Sequence, residues 1–126
     1  MPKNANLHHE INYVELSAVD IVEAKRFYSS AFSWEFNDYG PGYVGIRKQR
    51  GEGECGGICL SEQVATGGPL VILYSLDLEL TSSSVRRAGG TITKEIFSFP
   101  GGRRFHFTDP SGNELGVWSD RKECER

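Results

Sequence analysis

Apolar residues recur along this chain with two periods, and the same order of periods occurs twice. Residues 11–17 alternate around Val14 and Leu16, the two-residue period of a strand with one covered face. Asp20 and Glu23 then form a D-x-x-E pair of the kind that caps free N–H groups at a helix start. Ile21, Ala24, Phe27, Tyr28 and Ala31 fall on one helical stripe that must bury itself. Three shorter strands are predicted at 33–38, 43–48 and 57–61, with turns at Gly40-Pro41-Gly42 and Arg50 to Gly53. The second half repeats this order. Residues 69–76 read as an apolar strand, and Asp77 caps a helix with Leu78, Thr81, Val85 and Ala88 on one face. Gly89-Gly90 ends that helix, because glycine takes the left-handed cap conformation without strain. Strands follow at 91–97, 103–108 and 113–119, around turns at Pro100-Gly101-Gly102 and Asp109-Pro110-Ser111-Gly112.

The pattern describes two βαβββ units, one over about 10–62 and one over about 69–119, joined near 63–68 and followed by a mobile tail at 120–126. Neither unit can bury both its helix stripe and a sheet face alone. The expected architecture is therefore one α+β domain over 1–126, with both units sharing a core.

Composition narrows the function classes. Fourteen Lys and Arg against seventeen Asp and Glu give a net charge of −3, which disfavours a nucleic-acid or anionic-membrane partner. The longest apolar run, Leu70 to Tyr74, is far shorter than the ~20 residues that cross a bilayer. The first residues lack the basic-then-apolar pattern of a secretory signal. Cys55, Cys59 and Cys124 cannot all pair, and Cys55 and Cys59 lie too far apart on one extended segment to bridge; all three are read as thiols of a cytoplasmic protein. The run Gly51-Glu52-Gly53-Glu54-Cys55-Gly56 matches G-x-G-x-x-G, but it opens no helix and its carboxylates would repel a pyrophosphate, so it reads as a hairpin loop. His8-His9-Glu10 reads as a solvated arm before the first strand.

The stretch V-E-L-S-A-V-D-I-V-E-A-K-R-F-Y-S-S-A-F-S-W-E-F resembles the first unit of the vicinal oxygen chelate superfamily, which includes glyoxalase I, bleomycin-resistance proteins, fosfomycin-resistance enzymes and extradiol dioxygenases. R-R-A-G-G-T-I and F-T-D-P-S-G-N-E-L-G-V-W resemble its second unit. The resemblance covers roughly residues 10–119 and implies two βαβββ units whose curled mixed sheets form a cup that holds ligands. It also implies a homodimer, since neighbouring chains in the family combine units to complete the cups. Metal-using members carry His, Glu or Gln at four strand positions, which here fall on Tyr13, Cys59, Val71 and Gly116. Tyr, Cys, Val and Gly are not the nitrogen and oxygen set a divalent ion needs, so no metal and no other cofactor is expected. A shift of register that gathers Glu15 and Glu114 would restore such a site, and the His8-His9-Glu10 run is a second source of nitrogen ligands.

Strand alternation turns Val14, Leu16, Ile72, Tyr74, Leu115, Val117, Phe105 and Phe107 towards the helices. It leaves Tyr13, Glu15, Val71, Leu73, Glu114, Gly116 and Trp118 facing the cup, with Arg104 and His106. The resemblance agrees for His106, whose position contacts substrate in fosfomycin-resistance relatives. Arg104 suits a carboxylate, phosphonate or enolate oxygen through its planar fork. Glu15 and His106 are the side chains able to move a proton. Tyr13, Cys59, Val71, Leu73, Glu114, Gly116 and Trp118 make up the ligand-binding wall. Two functions stay open: a module that binds a small anionic or planar molecule without a catalytic metal, and a lyase or isomerase acting on a small carbonyl or enolisable substrate, with or without a metal. A third arrangement, in which Arg104 merely pairs with Glu15 or Glu114, would carry no function.

Overall fold

The side chain of Asp20 accepts from the Glu23 N–H at 3.0 Å, and that of Asp77 accepts from the Leu80 N–H at 3.1 Å, so each aspartate opens a helix. The computed structural model describes residues 8, 11–64 and 70–121. In chain order these form β1 (Val14–Ala18), α1 (Ile21–Phe32), β2 (Phe36–Asp38), β3 (Tyr43–Arg47), β4 (Glu54–Leu60), β5 (Val71–Tyr74), α2 (Leu78–Ala88), β6 (Thr91–Phe99), β7 (Gly102–Thr108) and β8 (Glu114–Ser119). The capping box is half made, because the Glu23 carboxylate is taken by Arg26 of the next turn. α1 ends on Ser33 in the left-handed region at φ 62°, and this reversal lays Trp34 flat on Tyr28 with centroids 4.6 Å apart. α2 ends on Gly89 at φ 106°. His9, Glu10 and Cys124 lie outside the described residues, as do most of the 63–68 junction and of the 120–126 tail.

The strands form two four-stranded mixed sheets, ordered β1-β4-β3-β2 and β5-β8-β7-β6. Within each, the first strand runs parallel to the last, and the remaining pairs are antiparallel. This is the α+β pair of βαβββ units that the sequence predicts. One prediction is overturned at β4, which starts at Glu54 rather than 57, so Glu54 to Gly56 belong to the sheet and not to a hairpin loop. The glycines there serve close approach rather than a turn. A Cβ at Gly56 would stand 2.2 Å from the Val14 carbonyl oxygen, and one at Gly57 would stand 2.0 Å from the Tyr43 hydroxyl.

Both helices turn their apolar stripes into one core. Phe27 and Tyr28 from α1, Leu78 and Val85 from α2, Val44 and Ile58 from the first sheet, and Phe105, Phe107, Leu115 and Val117 from the second are all buried. Each such side chain contributes about 1.5–3 kcal/mol by leaving water. Phe107 joins the units, with its ring 6.1 Å from Phe27 and 5.8 Å from Phe32. The turn after β7 closes the seam beside it. The Asp109 carboxylate accepts through Oδ1 from the backbone N–H groups of Ser111, Gly112 and Asn113, each at 2.9 Å. Its Oδ2 accepts from Tyr28 Oη at 2.8 Å and from Asn113 Nδ2 at 3.0 Å. Asn113 also donates to the Ser17 carbonyl at 2.5 Å, and Val19 N–H donates to Ser111 Oγ at 3.1 Å. Burial, and then the neighbouring Asp109 charge, push the Tyr28 phenol well above its ordinary range, so it stays a donor.

Candidate functional site

With one face of each sheet sealed by the helices, the chemistry sits on the opposite faces. In the second sheet, Arg104 pairs with Trp118, His106 with Gly116 and Thr108 with Glu114 across the β7–β8 ladder. Cross-strand partners share a face. Phe105 and Phe107 between them are buried in the core, so Arg104 and His106 point away from the helices. β6 continues this face with two register shifts, which bring Phe97 opposite Arg104 and Phe99 opposite Gly102. The Arg104 guanidinium lies over both rings, 5.3 Å from each centroid. The row of rings runs on through Phe99 to Trp118 at 6.4 Å and from Trp118 to Tyr74 at 5.2 Å. On its other side Phe97 is 5.9 Å from the His106 ring.

His106 is buried and rests on Gly116, where a Cβ would come within 3.3 Å of its Cδ2. Its Nδ1 faces Glu114 Oε2 at 3.5 Å, and the same oxygen accepts from Thr93 Oγ1 at 3.2 Å. His106 Nε2 and Arg104 Nε are buried and have no hydrogen-bond partner among the described residues. The ion pair of Arg104 with a carboxylate, considered from sequence, is replaced by the two phenyl rings, while Glu114 turns to His106.

The face of the first sheet is of opposite character. Glu15 and Ser17 on β1 stand beside Gly57 and Cys59 on β4, and Tyr43 and Gly45 on β3 pair with Cys59 and Gly57. The glycines leave room for larger neighbours: the Tyr43 and Tyr13 hydroxyls lie over Gly57, and the Glu54 carboxylate lies over Gly45. Tyr13 and Tyr43 are joined by a short hydrogen bond. Burial, then the contacts with Tyr13 and Glu15, raise the Tyr43 phenol above its ordinary range. Glu54 accepts from Tyr39 Oη at 2.5 Å and from Asn37 Nδ2 at 2.8 Å, and these bonds, Tyr39 foremost, hold its carboxyl below the usual range. Cys59 is half-buried, with its thiol directed to the Leu60 carbonyl at 3.6 Å.

The assignment of β5 is reversed. Val71 pairs with Leu115 and Leu73 with Val117, so Val71 and Leu73 pack against the core and leave the proposed ligand wall. Ile72 and Tyr74, expected against the helices, are 40% and 49% exposed and stand beside Gly116 and Trp118. All four residues are apolar or aromatic, so alternation in V-I-L-Y carries no face signal; the register against β8 decides it. Arg104, His106, Glu114, Gly116 and Trp118 thus share one face of the second sheet, while Tyr13, Glu15 and Cys59 share one face of the first. Sequence reasoning missed Phe97, Phe99, Tyr74 and Ile72 on the second face and Asn37, Tyr39, Tyr43 and Glu54 on the first. Alternation of Tyr43, Gly45 and Arg47 along β3 was the available signal for Tyr43. The register shifts in β6 erased any such signal for Phe97 and Phe99.

The four positions that hold metal in family members offer a poor donor set. Tyr13 is engaged by Tyr43, Val71 faces the core, and the space above Gly116 is filled by the His106 imidazole. Among the described residues, no group of three or more His, Cys, Asp or Glu side chains is gathered where it could hold an ion. These residues do not fit a resident divalent metal.

Two mixed sheets with helices on one face and polar, aromatic side chains on the other define a paired βαβββ protein. The chain belongs to the Glyoxalase/Bleomycin resistance protein/Dioxygenase superfamily, whose family model matches residues 10–117. It is 27% identical over 127 residues to CFP32 of Mycobacterium tuberculosis, provisionally named a glyoxylase, covering 94% of this chain and 49% of that protein. The chain thus spans about half the length of that curated relative. Among solved structures, a lactoylglutathione lyase from Agrobacterium tumefaciens superposes with a TM-score of 0.68 at 18% identity, covering 88% of this chain and 93% of that one. The antibiotic-binding protein TnmS3 from Streptomyces sp. CB03234 superposes at 0.65 with 18% identity, covering 92% and 98%. At such identities the likeness is one of fold. Among the described residues no helix is long and apolar enough to cross a membrane.

Proposed function

We propose that this protein binds a small anionic or planar molecule on the Arg104 face, without a resident divalent metal. One observation carries the reading: a guanidinium held between Phe97 and Phe99, its buried Nε without a partner, in a row of rings that ends at Trp118 and Tyr74. A cation so placed has its flanks desolvated before any ligand arrives, and its remaining N–H groups form a planar fork suited to a carboxylate or enolate. The neighbouring rings add stacking area for a flat body. The fold of TnmS3, an antibiotic-binding protein, is compatible with a binding role.

The test uses 2-naphthoate, a planar carboxylate, titrated calorimetrically. Arg104→Ala should weaken binding by roughly 10–100-fold, the worth of a charged hydrogen-bond pair. Arg104→Lys should recover only part, since an ammonium keeps the charge and loses the fork. Wild-type affinity in Arg104→Ala, with an unchanged melting temperature, would refute the reading.

The second reading is a lyase or isomerase on an enolisable carbonyl compound, and the His106–Glu114 pair favours it. In that case His106, on the same face as Arg104, moves the proton and Arg104 holds the developing oxyanion; Glu15 stands on the first sheet, apart from this pair. Loss of the α-proton of an enolisable acid into D2O, dependent on His106, would establish this reading over the first.

The partner we infer is a second copy of the chain. Among the described residues β1 and β5 are edge strands, each paired on one side only, and Ile72 and Tyr74 expose apolar surface along the second of them. Light scattering should give twice the chain mass, and the same sample titrated with zinc, nickel or manganese should take up no stoichiometric ion. A monomer at tens of micromolar, or one ion per chain lost on Glu15→Ala or Glu114→Ala, would contradict these two statements respectively. The cytoplasm is the location we infer, supported by the free thiols of Cys55 and Cys59.

A further inference from the structure

We propose that the face of the first sheet turned away from the helices, where Tyr13, Tyr39 and Tyr43 meet Glu15 and Glu54, takes an organic ammonium ion. This site is separate from the Arg104 face, which lies on the second sheet and suits the opposite charge.

Glu15, Gly57, Gly45 and Asn37 are successive partners across β1, β4, β3 and β2, so they form one row on this face. At the usual strand spacing, Glu15 and Gly45 stand roughly 10 Å apart along that row. The Glu54 carboxylate lies over Gly45, and the Tyr13 and Tyr43 hydroxyls lie over Gly57, between the two acids. These groups meet solvent: Glu15 is exposed, Tyr13 is 40% exposed and Tyr39 is 61% exposed. The Tyr39 and Tyr43 rings are 6.3 Å apart and inclined at 43° to each other.

The placement of protons sets the polarity of this surface. Tyr39 Oη donates to Glu54, as does Asn37 Nδ2. Tyr13 and Tyr43 share one hydrogen bond, and Tyr43 also lies against Glu15, an acceptor for its proton. The donors to Glu54, Tyr39 foremost, hold its carboxyl below the usual range and so keep it charged. What remains for a ligand is lone pairs, two negative charges and the faces of exposed rings, all of which attract a cation. Among the described residues of these four strands, Arg47 is the one basic side chain, and Glu35 engages it at 3.1 Å. No three carboxylate, imidazole or thiol groups gather among the described residues, so a metal ion lacks its ligands here. An ammonium on an apolar body has N–H groups for the oxygens and hydrocarbon for the rings.

The experiment titrates the intact, 15N-labelled chain with phenethylammonium at about pH 7, where an alkylamine is charged. The neutral isostere 2-phenylethanol is titrated alongside. Phenethylammonium should shift the Gly45 and Gly57 amide signals and bind at least about tenfold more tightly than the alcohol. Glu15→Gln combined with Glu54→Gln should weaken it by about tenfold, because shape is kept and both charges are lost. Tyr39→Leu should weaken it several-fold and Tyr39→Phe should not, since only the leucine removes a ring. Melting temperatures show whether each variant is folded; if the double variant is not, the alcohol comparison and the Tyr39 pair decide. Equal binding of ammonium and alcohol, undiminished binding in the folded double variant or in Tyr39→Leu, or unmoved Gly45 and Gly57 signals would each overturn the inference. None of these outcomes bears on 2-naphthoate at Arg104.

Discussion

Asp109→Ala should cost about 4 kcal/mol of stability and lower the melting temperature by roughly 15 °C for a domain of this size. The carboxylate closes five hydrogen bonds at once, three to the backbone of its own turn and two to the side chains of Tyr28 and Asn113. Truncation leaves a fully buried phenol without an acceptor, and each such orphaned group costs about 1–3 kcal/mol. It also frees the turn that holds Ser17 and Val19 of the first unit against the second. Asp109→Asn retains one carbonyl oxygen for the turn and should cost about half as much. Urea melts of the three proteins measure this, and an alanine variant within 1 kcal/mol of wild type would mean the seam is held by the aromatic contacts alone.

Gly56→Ala should be nearly as damaging, at about 3 kcal/mol or more, for a reason confined to backbone. The added methyl would meet the Val14 carbonyl oxygen at 2.2 Å, and neither partner can rotate away. Relief requires β1 to part from β4 along Val14↔Gly56 and Glu15↔Gly57. Amide exchange over β1 should accelerate, and Tyr43 should lose the neighbours that raise its phenol. Gly42→Ala is the control, since nothing lies within 4 Å of its Cβ; it should be neutral within about 0.5 kcal/mol. An equally neutral Gly56→Ala would show that the β1–β4 ladder tolerates a wider spacing.

The fold was readable because its signals are local. Asp20 and Asp77 cap with their own side chains, and the stripe from Ile21 to Tyr28 is a matter of spacing. The site was readable only where a strand alternates cleanly. Along β7, Phe105 and Phe107 are apolar and their neighbours Arg104 and His106 are not, so the faces separate by inspection. Along β5 every residue is apolar or aromatic, and the faces of Val71 and Leu73 are set by hydrogen bonds to a strand some forty residues later. β4 was shortened because glycine signals a turn and a close approach alike; only the Tyr43 hydroxyl over Gly57 distinguishes them. Phe97 and Phe99 reach Arg104 through irregularities of β6 that no periodicity encodes.

On the proposed anion-binding reading, the setting of Arg104 also bears on which anions the face would pass over. Chloride, phosphate and sulfate are spherical or tetrahedral, and they gain no stacking from the phenyl faces of Phe97 and Phe99. A cation on a solvated lysine side chain would be neutralised by such ions, whereas one walled by rings rewards a partner whose flat apolar body stacks on them. Occupancy should therefore vary little with the ionic strength of the medium. The protein would then be able to pick a scarce aromatic acid out of a large excess of ordinary inorganic anions.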